Sequence, residues 1–335
     1  MKVFILGANG FIGSHLSEAI LAKTNWEITA IDLTTDKIES CLNHPRFHFT
    51  QGDITADKQW VKNQIQQCDV VLPLVAIATP ALYVQNPLRI FELDFEANLE
   101  IIRHCAELKK RIIFPSTSEV YGMCHDQAFD EETSNLVTGP IHKERWIYST
   151  SKQLLDRLIY AYGKHHGLSY SLFRPFNWYG PRLDNVFNPK PGGSRVLTQF
   201  IGNILRGEDI QLVNGGAQRR CFTYISDGID ALLKIIENPN AATGRIFNVG
   251  NPHEDVSIRD LATFLIDEIK TFPKYADKAT QTKLTITDGA SYFGPGYQDV
   301  ELRVPAIKQA EEHLGWKPQV DLKTGLRKTL EFYLS

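Results

Sequence analysis

Apolar residues enter the chain as one short unbroken run, Val3 to Leu6, and then change period. Behind a glycine-rich stretch, Leu16, Ala19 and Ile20 recur at helical spacing. The run reads as a buried strand and the second pattern as an amphipathic helix. The alternation then repeats. Glu27 to Ile31, ending at Asp32, reads as a second strand, Phe47-His48-Phe49 as a third, Asp69 to Leu74 as a fourth and Arg111 to Phe114 as a fifth. A helix is expected from about Pro87 to Leu108. Another is expected at 152–163, where Leu154, Leu155, Leu158, Ile159 and Tyr162 follow helical spacing. Asp227 to Ile236, 256–270 and 320–334 read as further helices. Leu212-Val213-Asn214-Gly215-Gly216 reads as a strand and hairpin turn, and 271–283 as a surface connection.

Strands alternating with helices imply an α/β chain with a parallel, doubly wound sheet. The first turn sharpens this. Gly7, Gly10 and Gly13 are spaced G-x-x-G-x-x-G between strand and helix. Such glycines turn the backbone tightly, let it approach a pyrophosphate and pack helix on strand. The helix start then offers free N–H groups and a positive dipole end to phosphate. Gly7, Asn9, Gly10, Phe11, Ile12 and Gly13 are therefore candidate cofactor residues. Asp32, at the end of the second strand, can accept hydrogen bonds from an adenosine ribose and would repel a 2′-phosphate, which favours NAD over NADP. Its alternative is a cap near Thr34 and Thr35. Asp53, followed by Ile54, could contact adenine or cap the next helix. Leu74, Ala76 and Thr79 lie in a small, apolar stretch that would let a cofactor lie close. The expected architecture is a Rossmann-type NAD-binding domain, 1–175 plus about 223–250, with a smaller C-terminal substrate lobe, 176–222 and 251–335.

Composition narrows the function classes. Of 335 residues, 36 are Lys or Arg and 39 are Asp or Glu, for a net charge of −3. No basic stripe appears, so no nucleic-acid partner is expected. Lys109-Lys110-Arg111 reads as a solvated helix end. The five cysteines are widely spaced and lack a C-x-x-C pair. That fits reduced thiols in a cytoplasmic protein, with neither disulfide framework nor metal site. The longest apolar run, Val70 to Val84, is interrupted by Pro73 and Pro80 and is too short to span a bilayer. No membrane partner is expected.

The candidate chemistry centres on Tyr148 and Lys152, four apart at a helix start. At that spacing both stand on one face. A phenol beside an ammonium is expected to have its pKa lowered. It can then take a proton from a sugar hydroxyl while hydride leaves the same carbon. Alone, the pair is common on surface helices. Here Thr117-Ser118-Glu119 lies upstream, after the fifth strand, where ligands bind in open α/β sheets. Arg174-Pro175 lies downstream.

These features together resemble the extended short-chain dehydrogenase/reductases that act on nucleotide sugars. Leu72 to Pro80, Phe114 to Gly122, Arg145 to Tyr148, Arg174 to Trp178 and Gly296 to Asp299 look most like the UDP-glucuronic acid decarboxylases. That group includes the decarboxylase half of the bifunctional aminoarabinose and polymyxin-resistance enzymes, and the UDP-apiose/xylose synthases are similar. Sugar 4,6-dehydratases of this kind carry an aspartate where Ser118 stands, and 4-epimerases usually lack the glutamate. The resemblance implies NAD-dependent oxidation of UDP-glucuronate at C4, then loss of CO2 from C6. It implies Tyr148 as base, Thr117 as its hydrogen-bonding neighbour, Lys152 on the nicotinamide ribose, and Ser118, Glu119 and Arg303 at the sugar carboxylate. A buried Glu119 there is expected to have a raised pKa. Asn177, Arg145, Arg195 and Tyr297 are implied to hold UDP, with Arg182 in the same loop-rich stretch. Either Arg219 or Arg220 could reach the diphosphate. Gln211 replaces a lysine of close relatives. A long loop at 188–193 could close over substrate. The resemblance also implies a homodimer built on helices 87–108 and 152–163. No formyltransferase domain is expected ahead of residue 1, which leaves the pathway open. A redox-neutral UDP-xylose or UDP-apiose/xylose synthase and a non-catalytic NAD sensor are the alternatives.

Overall fold

The computed structural model describes residues 1–188 and 194–335. Beyond Asn188, the expected loop at 188–193 lies outside them. Seven strands form one sheet: β1 (Lys2–Leu6), β2 (Glu27–Asp32), β3 (Phe47–Gln51), β4 (Val70–Pro73), β5 (Arg111–Pro115), β6 (Tyr170–Pro175) and β11 (Arg245–Val249). Their order is β11-β6-β5-β4-β1-β2-β3, and all neighbours are parallel. The expected doubly wound α/β sheet is what forms. The chain builds outward from β1 through β2 to β3, then crosses to β4 on the other side. That reversal leaves a crevice beyond the carboxyl ends of β1 and β4, where such sheets bind ligands.

The unbroken apolar run of β1 is explained by cover on both faces. Val3 and Ile5 enter one core cluster while Phe4 and Leu6 enter another, as the two-residue side-chain period requires. Helix Phe11–Lys23 packs Leu16 and Ile20 into the first cluster, and helix Ile225–Glu237 adds Ile229 and Leu232. Opposite, helix Asn98–Glu107 contributes Ile101, Ile102 and Cys105, and helix Trp146–His166 contributes Leu155 and Ile159. No helix of the described residues is long and apolar enough to cross a membrane.

Seven short strands complete the sheet structure. They are β7 (Trp178–Tyr179), β8 (Ile210–Val213), β9 (Arg219–Cys221), β10 (Thr223–Tyr224), β12 (Asp255–Ser257), β13 (Leu284–Thr287) and β14 (Leu302–Arg303). The expected hairpin at 212–216 does not form. β8 instead pairs in parallel with β13, and β9 pairs with β12 and β14. Asn214, Gly215 and Gly216 all have positive φ, at 50°, 81° and 73°. Three successive left-handed residues carry the chain out of the sheet instead of reversing it. The surface connection at 271–283 contains a short helix, Ala276–Gln281. The helix expected from Pro87 forms with an internal π segment, Phe91–Ala97, which buries Asp94 and Phe95. A helix at Pro80–Gln85 was not anticipated.

Two glycines of the first turn are required by geometry. Gly7 has φ 86°, a region that suits glycine. A Cβ on Gly13 would meet the Gly7 carbonyl oxygen and lie 2.8 Å from Ala8 Cα. Gly13→Ala is expected to destabilise the protein by about 1–3 kcal/mol through overpacking and to weaken NAD binding. Thermal unfolding and cofactor titration check this; unchanged values in both would show that the turn yields easily.

Candidate active site

The crevice at the reversal opens into a cavity of about 980 Å³. One end is lined by Gly7 and Gly10 through Gly13, the middle by Thr117, Ser118, Glu119, Tyr148 and Lys152, the other end by Asn177, Arg195, Arg220, Tyr297 and Arg303. Leu74 and Ala76 form part of its wall. Residues far apart in sequence thus meet because β1, β4 and β5 all end at one edge.

Tyr148 and Lys152 lie in the first turns of helix Trp146–His166 and are both buried. Lys152 Nζ donates to the Pro115 carbonyl at 3.0 Å and sits 4.7 Å from the Phe114 ring centroid. Burial lowers its pKa, against the pull of Asp94 and Asp156. The expected lowering of the Tyr148 phenol is overturned. Burial pushes it up, Asp94 and Glu119 add to that, and a hydrogen bond with Thr117 only partly opposes them. Desolvation of a phenolate outweighs nearby partners when the side chain is this deeply buried.

Thr117 caps a single 3-10 turn, Ser118–Tyr121, its hydroxyl accepting from Glu119 N at 3.2 Å. A buried network holds both ends of that turn. Ser116 Oγ donates to Asp156 Oδ2 at 2.7 Å, and Arg174 Nη2 donates to the same oxygen at 3.1 Å. Arg174 Nη1 donates to the Tyr121 hydroxyl at 2.8 Å, which donates on to Asn248 Oδ1 at 2.8 Å. Arg174 therefore acts behind the site, tying β6 to the Tyr148 helix.

Glu119 is clamped. Arg145 Nη2 stands 2.6 Å from its Oε2 and Arg303 Nη1 2.5 Å from its Oε1. The expected raised pKa is overturned here too. Burial raises it, but Arg145 and Arg303 win and hold the carboxyl down at about 2. Arg145 lies under the Trp146 and Tyr297 rings, 4.5 and 5.4 Å from their centroids. Arg220 pairs with Asp299 at 2.9 Å.

A model of the NAD dependent epimerase/dehydratase family matches residues 3–250. The chain belongs to that family. The PbgP3 protein of Burkholderia pseudomallei is 52% identical, with a TM-score of 0.90 over 99% of this chain and 96% of that one. UDP-glucuronic acid 4-epimerase of Bacillus cereus, solved with UDP-glucuronic acid and NAD, is 26% identical with a TM-score of 0.82 over 99% of both chains. dTDP-glucose 4,6-dehydratase of Bacillus anthracis shares the fold at 19% identity, with a TM-score of 0.80 over 99% of this chain and 96% of that one.

NAD is thus the cofactor, and the first turn fits it. Gly10 caps the Phe11–Lys23 helix without a side chain, so the first N–H groups of the helix stay free for phosphate. Gly7, Gly10, Phe11, Ile12 and Gly13 all line the cavity. Asn9 braces the turn from outside: its N donates to Asp32 Oδ2 at 2.8 Å, its Nδ2 to Thr34 and Asp36, and its Oδ1 accepts from Lys37 N. Asp32 also accepts from Leu33 N at 2.7 Å, and it stands beside the cavity without lining it. Asp53 accepts from Thr55 N and Oγ1 at 2.8 and 2.7 Å, closing a local turn; the next helix, Lys58–Gln67, starts after Asp57, so Asp53 does not cap it. Ile54 packs on the core and Thr79 precedes helix Pro80–Gln85. Neither lines the cavity.

Two of the substrate arginines belong elsewhere. Arg182 pairs with Glu18 at 2.5 Å and donates to the Lys37 carbonyl at 2.9 Å, which ties its loop to the first helix. Arg219 is exposed and pairs with Asp255 at 2.8 Å. Along a strand neighbours point to opposite sides, so only Arg220 of that pair faces the cavity. Arg195 is held by Asp184, through its N at 3.0 Å and its Nη1 at 2.7 Å. Asn177 has φ 41° and donates to the Cys221 carbonyl at 2.9 Å.

Sequence reasoning missed Tyr83 and Asp94. Tyr83 stacks on Tyr148 with centroids 4.5 Å apart and planes within 7°. Asp94 is fully buried, accepts from Ile77 N at 2.8 Å, and is pushed by burial to about 6. In sequence both look ordinary, Tyr83 as one aromatic in a short run and Asp94 as one acid among Glu92 and Glu96.

Proposed function

We propose that the protein is an NAD-dependent UDP-glucuronate decarboxylase. The observation that carries this is the Glu119 carboxylate between two buried arginines, next to Thr117 and Tyr148. A guanidinium suits a planar carboxylate, and the uronate C6 carboxylate is the group that a decarboxylase must orient. The 26%-identical epimerase solved with UDP-glucuronic acid supports the substrate class.

Sugar carboxylates hold CO2 firmly. Oxidation at C4 turns C6 into the carboxyl of a β-keto acid, and the C5–C6 electron pair then flows into the ketone as CO2 leaves. NAD, when bound, would supply the hydride acceptor for C4. Tyr148 takes the C4 hydroxyl proton as hydride leaves C4, with Thr117 orienting the phenol. Lys152, one helical turn from Tyr148 and buried with it, would hold the ribose of the nicotinamide. The Tyr148 proton then returns to the enolate oxygen, and the enol becomes the ketone by gaining a proton at C5 from solvent and giving up the hydroxyl proton. Arg303, Arg145 and Ser118 orient the carboxylate so that the C5–C6 bond stands perpendicular to the plane of the C4 carbonyl as it breaks, and Asn177, Arg195, Arg220 and Tyr297 hold the nucleotide. A homodimer belongs to the same proposal, supported by apolar Leu88 and Leu154 left exposed on the two helices concerned.

The test is one incubation of purified protein with UDP-glucuronate and excess NAD. NADH is expected to rise in step with a UDP-4-keto-pentose, identified by mass and NMR. A UDP-pentose without net NADH would move the protein to the redox-neutral xylose or apiose synthases. Unchanged UDP-glucuronate would sink the proposal.

A further inference from the structure

The buried end of the cavity carries an unbalanced charge. Three guanidinium groups, Arg145, Arg220 and Arg303, face two carboxylates, Glu119 and Asp299. Arg145 is 1% exposed and lines the cavity, yet its Nε and Nη1 have no partner among the described residues. Buried donors left unpaired are costly. The site is therefore built for one more negative group, and Glu119 already occupies the place where a second carboxylate would pair with Arg303.

We propose that Glu119 is a place-holder for the substrate carboxylate: a uronate sugar nucleotide takes the guanidinium groups of Arg303 and Arg145 from it. This rests on the reading of the site as one for UDP-glucuronate. A neutral sugar nucleotide brings no carboxylate, so Glu119 stays clamped and ionised. The exchange thus makes the carboxylate the trigger that reorganises the catalytic turn, not merely a contact.

Displaced from Arg303 and Arg145, Glu119 shares a small site with a second carboxylate. One of two carboxylates so placed holds its proton more tightly. The other groups facing Glu119 are Arg220, Asp299 and Tyr297 from the 219–303 side, Tyr83 from helix Pro80–Gln85, and Tyr148 from helix Trp146–His166. Asp299 and the three phenols add no positive charge, and Arg220, paired with Asp299, is the group turned to the nucleotide. Glu119, held near 2 by Arg145 and Arg303 before binding, then takes a proton from solvent.

The experiment is calorimetric titration of the NADH-saturated protein, which binds without turnover, in buffers of different ionisation enthalpy. Uptake of about one proton per UDP-glucuronate bound is expected near pH 5.5, with affinity rising as pH falls. UDP-glucose should bind with no uptake. Glu119→Gln should abolish the uptake while still binding UDP-glucuronate. Binding of UDP-glucuronate to the native protein without proton uptake overturns the exchange but leaves the substrate reading standing. Equal uptake with UDP-glucose, or in the variant, overturns the exchange as well. No binding of UDP-glucuronate overturns the reading itself. The two nucleotide sugars are compared in the native protein, so the result does not depend on the variant folding.

Discussion

Tyr148→Phe is expected to cut the rate of NADH formation from UDP-glucuronate by about 10³-fold. The substitution removes one oxygen and little else. Phenylalanine keeps the 4.5 Å stack on Tyr83 and the apolar cluster with Ile90, so the fold should persist and NAD binding should stay within about twofold, since the lost hydroxyl reaches Thr117 and the substrate rather than the glycine turn. The sign of the pH dependence follows from the environment. Burial, Asp94 and Glu119 hold the phenol up. Native turnover should therefore climb as pH rises through the neutral range. Stopped-flow absorbance at the NADH band, with native and variant across pH 6–9 as an order-of-magnitude window, checks both points. Substantial turnover in the variant would remove Tyr148 from the role of base.

Glu119→Gln should act on stability and on chemistry together. Removing one partner of a buried ion pair typically costs about 3 kcal/mol, because the other charge is left uncompensated. Here two guanidinium groups lose their counter-charge, although the open cavity lets water soften the loss. The pH dependence has a definite direction. The Glu119 carboxyl falls from the usual 4.5 to about 2 in the folded protein. Its stabilisation is fully present above 4.5 and is lost as pH falls from there towards 2. Native and variant melting temperatures should differ most near neutral pH and converge in acid. Turnover should drop by about 10²-fold or more, because an amide at this position can neither give nor take the proton that a carboxyl can exchange at the reacting centre. Nucleotide binding should change far less. An unchanged decarboxylation rate would mean that the Thr117-Ser118-Glu119 turn has another purpose.

What can be read along the chain is whatever neighbours in sequence decide. The strand, the glycine turn and the helix that follow Lys2 form one contiguous unit, and Tyr148 with Lys152 form another. Their geometry is set by local period, so both were legible. So were the alternation that builds the parallel sheet and the placement of Thr117 to Glu119 at the end of β5. Electrostatics was not legible, because it is summed over space. Glu119 meets Arg145 and Arg303 only after β5, the start of the Tyr148 helix and β14 converge. Two charges of the opposite sign then reverse the shift that burial alone would give. Lys152 was expected to lower the Tyr148 phenol, but the fold turns its ammonium to the Pro115 carbonyl and leaves burial dominant. Arg182 and Arg219 carried the right chemistry in the wrong places. Glu18 and Asp255, 164 and 36 residues away, claim them. The sequence by itself determined the α/β sheet, the NAD turn and the Thr117–Glu119 and Tyr148–Lys152 segments that line the cavity, because local spacing dictates local structure. Only the tertiary structure decided which arginines face the cavity and which carboxylate they hold, because desolvation and Coulomb energy depend on distances that the chain order does not contain.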